Sequence, residues 1–270
     1  MNKKQPLISI IMATFNDNVN YLKIAIDSII NQTYTNWEFL IVDDSNDSKS
    51  ISVLDNYANK DNRIKVIRGK ERYGFVKSLN VGIDKAKGDF VGRMDSDDFS
   101  APERLKREVD FLINNQNYGV VGTQTYIINE SNKITSKILF PRGGLKLRRF
   151  AIFRCPMQHG TILMRRKIID AGIRYDEAFK RSEDLELWLR LLKKKYRIYN
   201  IQECLYKFRI ESNYATKRNK KHFRFNLRAR LKNFDIRHPL FSIFGIIMTL
   251  FYLLVPLSLK DKVYVYLNNK

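Results

Sequence analysis

Four short apolar runs set the strongest limit on how this chain folds. Each is separated from the next by a stretch of helical spacing, and three of the four stop at a cluster of polar residues. Leu7 to Ala13 is a β-branched run that stops at Thr14–Phe15–Asn16–Asp17, and Glu38 to Val42 stops at Asp43–Asp44–Ser45. Ile64 to Ile67 is a short third run, and Phe90 to Met94 a fourth, feeding Asp95–Ser96–Asp97–Asp98. Runs with no polar alternation fit strands covered on both faces. Between them Tyr21 to Ile30, Ile51 to Ala58 and Val76 to Ala86 carry apolar side chains at helical intervals, with Gly88 placed to stop the third. This alternation predicts an α/β fold with a parallel sheet and helices on its faces. In such open sheets ligands bind outside the carboxyl ends of the strands, so the polar clusters should gather on one edge and carry the chemistry.

After the acidic cluster, Ser100 to Glu103 ("SAPE") has capping-box spacing and predicts a helix to about Asn114. Val120–Val121, Tyr126–Ile128 and Leu205 to Ile210 read as strands, and Leu185 to Leu192 as a helix. From Leu145 to Gly172 the pattern is mixed and gives no element. No internal repeat or low-complexity linker is present.

Charge separates the end of the chain from the rest. The 270 residues hold 49 Lys and Arg against 28 Asp and Glu, a formal +21, which implies a polyanionic partner. Lys217 to His238 alone holds nine Lys or Arg and one Asp. Leu240 to Leu259 then runs twenty residues without a charge, close to the ~20 needed to cross a bilayer core. A basic stretch beside an apolar one fits an anionic leaflet. It predicts a membrane-associating tail over 216–270, with its basic side on the cytoplasmic face, spanning or peripheral. The N-terminus has no small-residue cleavage site and is read as a strand rather than a signal peptide. Cys155 and Cys204, without metal-type spacing, fit a reducing compartment.

"RMDSDDF" (Arg93 to Phe99) asks why three carboxylates stand within four positions. One Asp would satisfy a turn. Three, against their mutual repulsion, point to a bound cation, and Asp-x-Asp after a strand suits Mg²⁺ or Mn²⁺. An EF-hand loop needs Gly and Glu where Ser100 and Lys106 stand. A phosphatase nucleophile of the Asp-x-Asp-x-Thr type would follow the first strand and carry Thr or Val in place of Phe99. The turn after the first strand has no glycine, against a dinucleotide fold. A cation that itself holds a diphosphate remains, because Mg²⁺ and Mn²⁺ usually complete their shell with water and substrate phosphates.

"SIIMATFND", "LIVDDSNDS", "AKGDFVGRMDSDDFSAPERL" and "SEDLELWLRLL", in this order, resemble family 2 glycosyltransferases of the GT-A fold. The likeness is to bacterial enzymes that build capsule, exopolysaccharide or O-antigen, and it runs from about Leu7 to about Ile210. It implies a Rossmann-like, mostly parallel sheet with helices on both faces. It also implies a catalytic domain over 1–215, with a nucleotide-sugar half to about 100 and an acceptor half beyond. Ala13 and Phe15 match the turn that cradles base and ribose, and Asp44 the acid that bonds the base, typically uracil. Asp95 and Asp97 match the metal motif, with Asp97 the direct ligand and Asp98 supporting the turn. Arg93 matches an Arg found beside the diphosphate. Asp184 matches the general base, with Glu183, His159 and Trp188 toward the acceptor. Two departures stand out: Arg72 where Asn is usual, and Arg209 and Glu211 where many relatives have Arg-x-His. The third metal ligand is therefore open between Glu211, His159 and water.

The expectation is an inverting, metal-dependent glycosyltransferase that moves a hexose-type sugar from a nucleotide diphosphate-sugar, by resemblance a UDP-sugar, to a saccharide or lipid-linked acceptor. Its cofactor would be Mn²⁺ or Mg²⁺, and its place the cytoplasmic face of a membrane. A nucleotidyltransferase is the rival enzyme, but would carry a Gly-rich phosphate loop. A nucleic-acid-binding protein is the rival from charge alone. The basic residues here lie against an apolar segment and form no recognition motif, so no nucleic-acid partner is expected.

Overall fold

A computed structural model describes residues 5–210 and 220–254. β1 (Ile8–Thr14), β2 (Trp37–Asp43), β3 (Ile64–Ile67) and β4 (Phe90–Arg93) pair in parallel in the order β3-β2-β1-β4. Alternate side chains of β1 serve opposite layers, as the two-residue strand period requires. Ile8, Ile10 and Met12 pack with helices α1 (Val19–Ile30), α2 (Ser48–Lys60) and α4 (Arg104–Asn114). Ile11 packs on the other face with α3 (Phe75–Lys85), α6 (Arg166–Asp170) and α7 (Glu183–Lys193). All four apolar runs are therefore strands, three of them covered on both faces and β3 an edge strand with Lys65 exposed.

The sheet is mixed rather than mostly parallel. Beyond β4 come β8 (Leu163–Arg165), β6 (Val120–Ile128), β9 (Ile198–Arg209) and β5 (Phe99–Ser100), with β7 (Ile134–Ile138) also on β6. β8 runs antiparallel to both β4 and β6, while β6 and β9 are parallel. The reversal has a local cause. The chain reaches β4 at its carboxyl end, through the 3₁₀ turn His159–Thr161, so it can only run backwards along that edge. This turn, β8 and α5 (Gly144–Phe153) fill the segment that showed no pattern.

The predicted capping box does not form. Ser100 is taken into β5 against Tyr206, and its hydroxyl accepts from Gln32 Nε2 at 3.0 Å and Arg104 Nε at 2.7 Å. Helix α4 starts at Arg104 with no side-chain cap.

At the C-terminal end α8 (Lys220–Lys232) and α9 (Pro239–Leu254) pack on the domain. Asn233 Nδ2 reaches Glu186 of α7 at 3.3 Å, and Arg230 Nη1 donates to the Ala151 carbonyl of α5 at 2.8 Å. The predicted twenty-residue apolar run is thus seen as the helix Pro239–Leu254, and its last five residues lie outside the described ones. Among the described residues no helix is long and apolar enough to cross a membrane. Glu211 and the expected boundary at 215 also lie outside the described residues.

Candidate active site

Parallel pairing brings the ends of β1, β2 and β4 to one edge, with Thr14 level with Asp43 and Ile11 level with Arg93. The first two turns are stitched together. Asn16, at φ 49°, donates to Asn46 Oδ1 at 2.6 Å and accepts from the Asn46 amide at 2.9 Å. Ala13 is half-buried and packs on the inner layer, while Phe15 is exposed. The Arg72 guanidinium lies 3.4 Å over the Phe15 ring, so the residue that departs from the family pattern forms part of this turn's surface.

Asp44 has work of its own. Helix α3 begins at Gly74, which has φ 77° and no side chain to cap with. Asp44 supplies the cap from β2's end, accepting from the Tyr73 amide at 3.0 Å, the Gly74 amide at 2.6 Å and Ser78 Oγ at 3.2 Å. A carboxylate at a helix N-terminus is favourable. Both of its oxygens are thereby committed, and a base contact would have to share them.

The acidic loop is held from three sides. Arg93, almost wholly buried, contacts Asp95 at 2.5 and 2.9 Å. Burial disfavours its charge, yet Asp95 more than offsets this and raises its pKa above the usual value. Its Nε is buried without a partner among the described residues. Arg209 of β9 clamps the other side. Its amide donates to Asp98 Oδ1 at 2.8 Å, its Nε to the Asp97 carbonyl at 2.7 Å, and its guanidinium sits 3.8 Å over Tyr21. Asp98 is fully buried and supports the turn, as expected from the sequence. Gly160 closes the third side. An added Cβ there would lie 2.7 Å from Asp95 Oδ2 and 2.1 Å from Tyr206 Oη, so only glycine admits this approach.

The sequence reading missed Asp17. It stands at the end of β1 beside Ser96 and within electrostatic reach of Asp95, and burial raises its pKa. Burial, then repulsion from Asp95 and Asp17, pushes Asp97 from 3.8 up to about 7. Its signal was a strand-end Asp in the run neighbouring the Asp-x-Asp. Among the described residues no three His, Cys, Asp or Glu side chains could hold a metal alone. Asp97, pushed up by burial and by its neighbours Asp95 and Asp17, nevertheless fits a divalent cation that completes its shell with substrate oxygens.

Across the cleft α7 starts from Ser182, a non-glycine residue at φ 59°, the kind of strain that gathers at functional sites. Glu183, Asp184 and Glu186 fill its first turn, with favourable charge for the helix dipole. Asp184 Oδ1 accepts from the Leu185 amide at 2.7 Å and Oδ2 from Cys155 Sγ at 3.2 Å, which fixes the carboxylate. Burial and Asp184 push Glu183 up to about 7, while Arg93 pulls the other way. His159 Nδ1 is 4.0 Å from Glu183, and its Nε2 meets the Tyr175 hydroxyl at 2.6 Å. Burial and Arg93 hold this imidazole well below 6.5, hence neutral. The turn His159–Gly160 joins the two sides, Gly160 lying against Asp95 and His159 against Glu183. Trp188, weighed from the sequence as a core residue ahead of a sugar platform on the acceptor side, is fully buried beside His159 at a ring distance of 6.1 Å, and offers no open face to a sugar. The spacing of the α7 leucines turns it inward with them.

Residues 9–173 match the model of glycosyl transferase family 2. The putative glycosyltransferase EpsE of Bacillus subtilis is 35% identical over 219 residues, 79% of this chain and 77% of that protein. The O-antigen biosynthesis glycosyltransferase WbnJ of Escherichia coli is 34% identical over 209 residues, 76% and 80% of the two chains. In fold, this chain resembles the mannosyltransferase PcManGT of Pyrobaculum calidifontis, solved with GDP-Man and Mn²⁺. The TM-score is 0.67 over 99% of this chain and 81% of that one, at 15% identity. Larger proteins share the fold as well, for this chain spans 39% of the S. aureus TarS chain at a TM-score of 0.61. With the strand-end acid loop facing the α7 carboxylates and the family model matching most of the domain, this chain belongs to glycosyl transferase family 2, as a glycosyltransferase of the GT-A fold.

Proposed function

We propose that the chain is an inverting transferase that moves a hexose-type sugar from a nucleotide diphosphate-sugar, a UDP-sugar by its motifs, to a saccharide or lipid-linked acceptor in bacterial surface polysaccharide synthesis. The observation that carries this reading is that the turn His159–Gly160 lies against Asp95 on one side and 4.0 Å from Glu183 on the other, which brings the acid loop and the α7 carboxylates to one place. WbnJ's O-antigen role supports the pathway. The nucleotide-sugar and Mn²⁺ in PcManGT support the donor class and the cation.

In this reading Asp184 takes the proton of the acceptor hydroxyl, whose oxygen attacks the anomeric carbon as the bond to the diphosphate breaks. The electron pair leaves on the terminal phosphate oxygen, and configuration inverts in one displacement. Mn²⁺ or Mg²⁺ held by Asp97, with Asp95, would neutralise the charge that develops on the departing diphosphate. Arg93, whose Nε has no partner among the described residues, adds a second positive group there. Phe15 and Arg72 supply the face for base and ribose, with Ala13 beneath. Glu183 and His159 shape the acceptor side. We place this work at the cytoplasmic face of the cell membrane, with the basic run before Leu240 as the anchor.

The test is a panel of nucleotide sugars with Mn²⁺, read first as protection against thermal unfolding and then as transfer. Asp184→Asn should keep the protection and lose transfer by ~10²- to 10⁴-fold, the usual worth of a general base. Near-normal transfer would move the base to Glu183. Lost protection would place Asp184 in the donor site and overturn the division of roles.

A further inference from the structure

Helices α8 and α9 form an antiparallel hairpin, and α9 lies lengthwise on the domain. Near its start, Ser242 Oγ accepts from the Asp235 amide at 3.0 Å. In the middle, Gly245 lets Arg230 pass, since an added Cβ would meet its Nη1 at 2.7 Å. Toward the far end Tyr252 stacks on Phe223 at 5.6 Å. One face of α9 is therefore held by protein from end to end.

The opposite face is bare. Leu240, Ile243, Phe244, Ile247, Phe251 and Leu254 are 42–84% exposed and recur at spacings of three and four, which puts them on one side of the helix. Exposed apolar side chains in so continuous a stripe mark an interaction surface. The neighbouring α8 presents Lys220, Arg224 and Arg228 to solvent. The hairpin's acid, Asp235, is buried and paired with Arg148 and Arg237.

We infer that α9 lies in the plane of an anionic bilayer surface, with this stripe among the acyl chains and the α8 cations at the headgroups. The inference rests on the membrane location proposed above and adds its geometry: the helix lies on the membrane and does not cross it. A crossing helix leaves its domain, whereas this one packs on α5 of the domain as well as on α8. Charge selects the occupant: α8 exposes Lys220, Arg224 and Arg228, and the one acid of the described hairpin is buried and paired, so an anionic leaflet is attracted to this part of the chain. An apolar face with a basic flank is the form an interfacial helix takes. Because Asn233 also ties the hairpin to Glu186, the cleft is set at a fixed height over the lipid.

The full chain should sediment with vesicles of phosphatidylcholine and phosphatidylglycerol, and only weakly with phosphatidylcholine alone. Phe244→Glu with Ile247→Glu should weaken this binding by about tenfold or more while the melting temperature holds, since both positions face outward. Leu254→Glu, at the most exposed position, repeats the test with one change. Alkaline carbonate should strip the bound wild type from the vesicles. Binding that is indifferent to these substitutions or to the anionic lipid, or protein that resists alkaline extraction, would overturn the in-plane assignment. Protection by nucleotide sugar is measured on the same samples, so a failure at the membrane is told apart from a failure of the transferase reading.

Discussion

Replacing Asp97 with asparagine should make the metal-free protein more stable while removing its grip on the cation. Asp97 stands at 3.8 when unperturbed and is pushed up to about 7 in the fold, by burial and by Asp95 and Asp17. Below about pH 4 the side chain is protonated whether the chain is folded or not, and contributes nothing. Between about pH 4 and 7 the unfolded chain gives up the proton and the folded chain keeps it, so stability falls by about 1.4 kcal/mol per pH unit. Above about pH 7 the deficit is constant. The shift of about three units then amounts to about 4 kcal/mol against folding, to order of magnitude. Asparagine has nearly the same shape and no charge to bury. Urea unfolding of Asp97→Asn and wild type at pH 8, in chelator, should show the variant more stable by a few kcal/mol, and the gap should close toward pH 5. Adding Mn²⁺ with a nucleoside diphosphate should then raise the wild-type melting temperature and leave the variant's unmoved. A variant no more stable than wild type at pH 8, or a gap that ignores pH, would refute the claim that Asp97 is held ionised at a cost the cation relieves.

Asp44→Asn should cost about 1–2 kcal/mol in urea unfolding, because it removes the charge that caps α3 from across the sheet. Unchanged stability would show that α3 needs no such cap. Arg209→Met leaves the Asp97 and Asn129 carbonyls without their guanidinium donor, while Asp98 keeps the residue-209 amide, so a loss of about 2–3 kcal/mol is expected, with weaker Mn²⁺-dependent nucleotide binding alongside. Intact nucleotide binding would detach Arg209 from the acid loop.

The first hundred residues were legible because each signal was local. β1, β2 and β4 are runs of apolar side chains, and their polar ends reveal the site edge once the pairing is parallel. The second half hid for physical reasons. β8 is three residues long, too short for a period, and α5 opens on Gly143–Gly144 rather than on a cap. Ser100 has the spacing of a helix cap, but pairing with β9 was worth more to it. The acid loop's motif named Asp95 and Asp97 at once. Asp17 carried only the signal of a strand-end acid and Arg209 only that of a departure from the family pattern, because what each does depends on contacts between strands far apart in the chain.

The clamp of Arg209 on the acid loop also sets an order of events during synthesis. β1 to β4 are complete once residue 93 has been made, and every pairing among them lies within that stretch. The acid loop follows directly, yet its partners Tyr206 and Arg209 lie 111 residues downstream of Asp95 and Asp98. A nascent chain can therefore carry the parallel strands while the acid loop still lacks the residues that clamp it. The loop reaches its final form only after β9 has left the ribosome and docked, so the site matures with the second half of the domain and not with the first.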